Sequence, residues 1–403
     1  VCANGVGMTR QLILSGLDVL ESDNFNRLKN INVGVLCHPA SVNQSYQHIV
    51  DLLIKHHIQV CALFGPEHGF LGFAQDMDAV LKVPLHPVLK CPIYSLYGDS
   101  ESSLMPTQDM LNDLDVVVID LQDIGTRYYT FVWTAVMMMQ ACAKAGVSVL
   151  VLDRPNPLGG VIREGACVAK ELTSFVGYYD VPVRHGLTIA EIMRLYAHEQ
   201  LLNVNLEIIL CQGWNRQALL GSLCDYAYVY PSPNMPTYET AWVYPGMCLL
   251  EATNISEGRG TTKPFELMGA PYIEAHVLAD ALNNLHLKGV LFRPTVIKPT
   301  FHKFAGKLCG GVQIHLKNPD VYNSFYVGLC VVGAVLNLYP THFSWRKEPY
   351  EFVSDRNAFD LLTGNVQWRM YLHDLKALSH YYESEQALYL NQFKERIEKH
   401  LLY

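Results

Sequence analysis

At 403 residues the chain is longer than one hydrophobic core usually serves, which points to two or three domains. Half of its residues are hydrophobic and 17% are charged, so it is not a disordered chain, and no run of 18 apolar residues offers a membrane span. The formal net charge of −8 argues against a nucleic-acid binder, which needs a basic surface.

Residues 9–20 carry Leu12, Ile13, Leu17 and Leu20 at helical spacing, which predicts a first helix. INVGVLC (31–37) reads as the first strand, ending in His38-Pro39-Ala40-Ser41, and a helix follows through Ile49, Leu52 and Leu53. The apolar run Ile58 to Phe64 is a second buried strand, broken by Gly65-Pro66-Glu67-His68-Gly69. After the loop GFAQDMDAV comes a short strand at 92–98. DVVVID is a continuous apolar strand with an acid at its end, followed by the loop LQDIGTRYY and a helix that stops at Gly146. SVLVLDRPNPLGG (148–160) repeats the pattern with Asp153-Arg154-Pro155-Asn156. Thr188 and Glu191 form the capping box of a helix over 187–199, and LEIILC (206–211) is a further strand.

Strands alternating with helices specify an α/β fold with a parallel, doubly wound sheet. Right-handed crossovers put all strand carboxyl ends on one edge, where such sheets bind ligands. Glu67, Asp120 to Arg127, and Asp153 to Asn156 are therefore expected to converge there. From 229 the texture changes to a crossover in which prolines alternate with aromatics, then to a polar, glycine-bearing loop at 249–271. Strands are expected at 290–297 and 311–316, and helices at 324–339, 357–363 and 385–402. The expected division is a sheet domain over 9–228 and a smaller α/β domain over 229–403.

No GxGxxG follows the first strand, and no P-loop, HExxH, His/Cys cluster of metal spacing or GxSxG elbow is present. The eleven cysteines include no CxxC pair and read mainly as buried thiols. Neither a metal nor a cofactor is expected. The remaining inventory at the rim is carboxylates, amides, arginines and aromatics, which suits a carbohydrate. Cleaving a glycoside needs a carboxylic acid to protonate the leaving oxygen and a second group for the anomeric carbon. Glu67 is the best candidate acid. Asp120, Asp123, Asp153 and Glu257 are candidates for the second group, with helix capping as the alternative for Asp120 and Asp153. Substrate-binding candidates are His68, Gln122, Asp123, Arg127, Tyr128, Asp153, Arg154, Asn156, Asn234, Glu257, Arg259 and Thr261. Arg259 is the strongest of the arginines because it stands between Gly258 and Gly260, where backbone can approach a ligand.

LFGPEHGF, DLQDIGTRYYTF, LDRPNPLGG, PSPNMPT, VYPG and LLEATNISEGRGTTKPFELMGAP occur in this order. Together they resemble the NamZ-type exo-β-N-acetylmuramidases, glycoside hydrolase family 171, over roughly residues 31–345. The resemblance implies a Rossmann-like domain, a smaller C-terminal domain and a site in the cleft between them. It implies release of N-acetylmuramic acid from the non-reducing ends of peptidoglycan fragments, and favours a periplasmic or secreted location. The family's proposed catalytic Glu falls on Glu67. A cation such as Arg259 would then pair with the lactyl carboxylate of the sugar. The chain departs from many relatives at His38-Pro39-Ala40-Ser41, where they read Asn-Pro-Thr-Gly, and at GFAQDMD. A non-catalytic muropeptide-binding protein on the same fold is the competing reading.

Overall fold

The computed structural model describes residues 11–75, 85–221 and 224–403. The first element is not the helix expected over 9–20. A two-residue strand, β1 (Gln11–Leu12), comes first, pairing in parallel with Cys224–Asp225, and the helix runs only from Gly16 to Ser22. The break is made at Ser15, where a reciprocal box with Asp18 starts the helix: Ser15 N donates to Asp18 Oδ2 (2.7 Å) and Asp18 N to Ser15 Oγ (3.4 Å). Residues 9 and 10 lie outside the described residues.

Six strands form the main sheet: β2 (Val33–Cys37), β3 (Val60–Gly65), β4 (Ile93–Ser95), β5 (Val116–Asp120), β6 (Ser148–Leu152) and β7 (Leu206–Ile209). All neighbours are parallel, in the order β4-β3-β2-β5-β6-β7. β2 and β5 are buried along their whole length, which is why their sequences are continuous rather than alternating apolar runs. The strand order reverses between β2 and β5, the usual ligand crevice of such sheets. Here the chain fills that place itself. Gln122 N donates to His38 Nε2 (2.9 Å), and His38 Nδ1 lies 3.3 Å from the Pro231 carbonyl oxygen. Burial and the neighbouring Arg154 bring the His38 pKa down to about 3, so the ring is neutral and Nδ1 is its donor.

β8 (Cys224–Asp225) closes the first unit by pairing with β1, and the second unit contributes β9 (Leu267–Ala270), β10 (Val290–Ile297) and β11 (Cys309–Leu316), an antiparallel sheet in the order β10-β11-β9. β9, a helix at Tyr238–Met247 and a helix at Ala275–Asn283 are absent from the sequence reading. The first of these helices lies in the proline-rich crossover. Thr237 caps it through Thr240 N (3.3 Å), and Pro245 falls in its last turn. It crosses the helix Ser324–Leu338 at backbone distance: a Cβ on Gly328 would lie 2.3 Å from the Gly246 oxygen. The tail helix begins at Leu375, capped by Asp374, and ends at Ile397.

The two units share one hydrophobic core. It runs from the sheet through the helix Phe131–Ala145, including Trp133 and Met138, to Phe325 and Val331. From Phe131 to Met139 that helix is buried at every position, which is why it is apolar all round there, and Lys144 in its last turn is exposed. Arg127, fully buried, ties the units with its guanidinium, donating to the carbonyls of Ala166 (2.9 Å), Val181 (3.0 Å) and Leu362 (2.7 Å). Among the described residues no helix is long and apolar enough to cross a membrane.

Candidate active site

β3 ends at Gly65, where only glycine fits: a Cβ would lie 2.2 Å from Phe70 N. The chain then turns back through Pro66-Glu67-His68-Gly69, closed by Gly69 N on the Pro66 carbonyl (2.9 Å), with His68 in the left-handed region at φ +68°. The turn aims Glu67 into a small cavity walled by both units. Glu67 is 6% exposed, and its carboxyl accepts from Thr130 Oγ1 at 2.5 Å. His68 Nδ1 lies 2.9 Å from the Ala74 carbonyl oxygen, so the ring fastens the loop that carries Glu67. Part of the loop GFAQDMDAV, from Asp76 onward, lies outside the described residues.

The other walls come from both units. The loop after β5 and the start of its helix supply Tyr128, Tyr129, Thr130 and Phe131, and the crossover supplies Ser232, Asn234 and Met235. The second unit supplies Tyr244, Glu251, Arg259, Phe265, Tyr350 and Glu351. Tyr128 donates its hydroxyl to the Pro245 carbonyl, and Asn234 Nδ2 donates to Gln75 Oε1 (2.9 Å).

Arg259 sits in the wall between two carboxylates. Its Nη2 donates to Glu251 Oε1 (2.6 Å), its Nε lies 3.2 Å from Glu257 Oε1, and the guanidinium stands 5.1 Å over the Phe265 ring. Gly258 and Gly260 flank it with φ of +83° and +78°, and a Cβ on either would meet backbone within 3 Å. Glu251 is further held by Tyr350, whose hydroxyl donates to Oε2 at 2.7 Å. Glu257 faces the outer side of this network. Burial opposes its charge, but Lys303 at 3.0 Å, His302 at 3.3 Å and Arg259 outweigh it and hold the carboxyl well below the usual range.

Of the sequence candidates, Glu67, His68, Tyr128, Asn234 and Arg259 meet at the cavity; the rest do not line it. Arg127 is spent on backbone carbonyls. Arg154 pairs in fork geometry with Asp120 (2.5 and 2.9 Å) and also reaches Tyr226 and Val42. Asp153 accepts from Ala190 N (3.2 Å) and the Tyr403 hydroxyl (2.7 Å), the capping alternative. Gln122 bridges the Asp123 and Pro155 carbonyls, Asp123 accepts from Gly125 N, and Asn156 holds its own turn through Leu158 N. Thr261 donates to the Gly258 carbonyl (2.6 Å). The acids at the ends of β5 and β6 thus organise the sheet edge, and the cavity's other carboxylates are Glu251 and Glu351. Neither stands in a glycine-flanked turn or at a strand end, so no local pattern singles them out. Among the described residues no group of three His, Cys, Asp or Glu side chains is placed to hold a metal.

An acid, two further carboxylates and a paired arginine line one aromatic-walled cavity between the α/β sheet domain and the smaller unit. The class of protein, a glycoside hydrolase, follows from comparison with known proteins. Residues 33–239 match the family described as exo-beta-N-acetylmuramidase NamZ, N-terminal, and residues 242–403 match its C-terminal counterpart. The chain is 40% identical over 392 residues to the peptidoglycan beta-N-acetylmuramidase NamZ of Bacillus subtilis (strain 168), covering 97% of this chain and 91% of that protein. Two crystal structures of DUF1343 family proteins from Bacteroides fragilis NCTC 9343 superpose on it with TM-scores of 0.86 and 0.75. They are 31% and 26% identical, each match covering 97% of this chain and 99% of the other. The chain belongs to the NamZ family of exo-β-N-acetylmuramidases.

Proposed function

We propose that the enzyme releases N-acetylmuramic acid from the non-reducing ends of peptidoglycan fragments, with Glu67 as the general acid. The observation that carries this reading is the Glu67 carboxyl, buried in a cavity shared by both units and held by Thr130. On this reading the terminal sugar sits at the cavity lined from both a sheet domain (9–228) and a smaller domain (229–403). Tyr128, Tyr129, Phe131 and Tyr244 offer faces to the ring, and Asn234 and Ser232 offer partners for hydroxyls. Arg259 is the cation for the lactyl carboxylate that separates N-acetylmuramic acid from N-acetylglucosamine. The net charge of −8 favours glycan over nucleic acid as partner.

The test is turnover of a chromogenic β-N-acetylmuraminide. Wild type is expected to hydrolyse it. Glu67→Gln is expected to lose roughly 10²–10⁴-fold in kcat, the usual weight of general acid catalysis, with an unchanged Tm. Near wild-type kcat in this variant would move the acid elsewhere. A protein that binds the muraminide without cleaving it would favour the muropeptide-binding reading.

A further inference from the structure

Thr130 stands where the loop after β5 enters the helix Phe131–Ala145. A threonine in that place usually turns its side-chain oxygen on its own helix, accepting from a backbone N–H of the first turn. Thr130 makes no such bond, and its backbone is already helical, at φ −63° and ψ −12°. Trp133 N and Thr134 N donate to its carbonyl oxygen, at 3.0 Å each. The residue is 3% exposed, and its hydroxyl donates away from the helix, to Glu67 Oε2 at 2.5 Å. Glu67 follows β3 and Thr130 follows β5, with β2 between those strands, so the bond ties together two loops at the carboxyl edge of the sheet. The chain that presents Thr130 is itself fixed. Tyr129 N donates to the Thr126 carbonyl (2.9 Å), and Trp133 Nε1 donates to the carbonyl of the buried Arg127 (2.7 Å).

We propose that Thr130 is a positioning residue for proton delivery: it keeps the acid proton of Glu67 on Oε1 and steadies the carboxylate that forms when that proton leaves. This rests on the reading of Glu67 as the general acid of a muraminide hydrolase. A hydroxyl donates far better to the carbonyl oxygen of a carboxylic acid than to its hydroxyl oxygen, so with Thr130 on Oε2 the proton sits on Oε1. The bond from C1 to the leaving oxygen breaks with its electron pair on that oxygen, which takes the proton from Oε1. The oxygen of water ends on C1, and the proton that water sheds returns Glu67 to its acid form. As the first proton leaves, Oε2 gains negative charge, and a hydrogen bond to an ionised acceptor is about twice as strong as one to a neutral acceptor. The Thr130 bond therefore stabilises the transition state more than the ground state, and only such a difference speeds the chemical step.

The experiment uses the full chain and two β-N-acetylmuraminides. One releases N-acetylglucosamine, whose oxygen needs a proton to leave; the other releases dinitrophenol, which departs without one. Thr130→Val keeps the branched shape and removes the donor. On the disaccharide it is expected to lose roughly 10–100-fold in kcat, the weight of one hydrogen bond to a charged group, with KM within about twofold of wild type. On the dinitrophenyl glycoside the same variant is expected to keep most of its kcat, because no proton has to be delivered. Thr130→Ser, which restores the hydroxyl, is expected to recover the activity lost on the disaccharide. Thr130→Ala gives the same comparison should the valine variant fail to fold. Equal losses on the two substrates, a serine variant as slow as the valine one, or wild-type kcat without the hydroxyl would overturn the proposal. A wild type that cleaves neither substrate, or near wild-type turnover of the disaccharide by Glu67→Gln, overturns the reading beneath it, whatever the Thr130 variants do.

Discussion

Arg259 illustrates how a single residue can be legible in sequence while its energetics are not. Its glycine neighbours mark a close backbone approach, and the structure puts it in the cavity wall. What the spacing cannot reveal is that Glu251 and Glu257 already flank it. Removing the guanidinium therefore leaves two buried carboxylates without their shared cation, at a cost of roughly 3–5 kcal/mol of stability. Arg259→Met is expected to lower kcat/KM for a β-N-acetylmuraminide far more than for the matching N-acetylglucosaminide, measured on the fraction that remains folded. Arg259→Lys is the gentler control: the charge stays and the fork is lost. An equal loss on both substrates would remove Arg259 from recognition of the lactyl group.

Among the elements, the edge where β5 and β6 end is held by ionisable groups used for structure. Asp153 closes β6, receives Ala190 N at the start of the helix Ile189–Glu199, and takes the hydroxyl of the last residue, Tyr403. Burial raises its pKa from 3.8 to about 7, against the pull of Thr188 and Tyr403. A carboxyl with a higher pKa folded than unfolded binds more protons in the native state, so its contribution falls as pH rises through that window. Stability from this group is therefore fully present below about pH 4 and lost progressively up to about pH 7, an effect on the order of 4 kcal/mol. Asp153→Asn is expected to flatten the decline of Tm across that range, as read by thermal melts at half-unit steps. A slope identical to wild type would show that Asp153 stays ionised in the fold.

For the whole molecule, the main expectation is independence from metals and nucleotides. The sequence lacks their motifs, and the switch-point crevice is filled by His38, Gln122 and the Pro231 carbonyl. Exhaustive dialysis against EDTA is expected to leave kcat on the muraminide unchanged. Loss of activity that a divalent ion restores would refute this. The two units are also expected to behave as one body in unfolding, because one hydrophobic cluster passes from the sheet through the helix Phe131–Ala145 to Phe325.

The sequence by itself determined the α/β class and the parallel sheet, because buried strands and capped helices write local periodicities. It also placed Glu67 at the sheet's carboxyl edge, since a strand that stops at Gly-Pro must deliver the next residues there. Only the tertiary structure decided which polar residues meet. Asp120 and Arg154 looked like site residues and instead neutralise each other; Arg127 looked like a sugar ligand and holds three backbone carbonyls. Glu251 and Glu351, far from Glu67 in sequence, reach its cavity through a 3₁₀ turn (Cys248–Ala252) and a two-residue hairpin turn. Side-chain pairing across such distances depends on how the units dock. No periodicity records it, so the place of Glu67 was visible in the chain and the company it keeps was not.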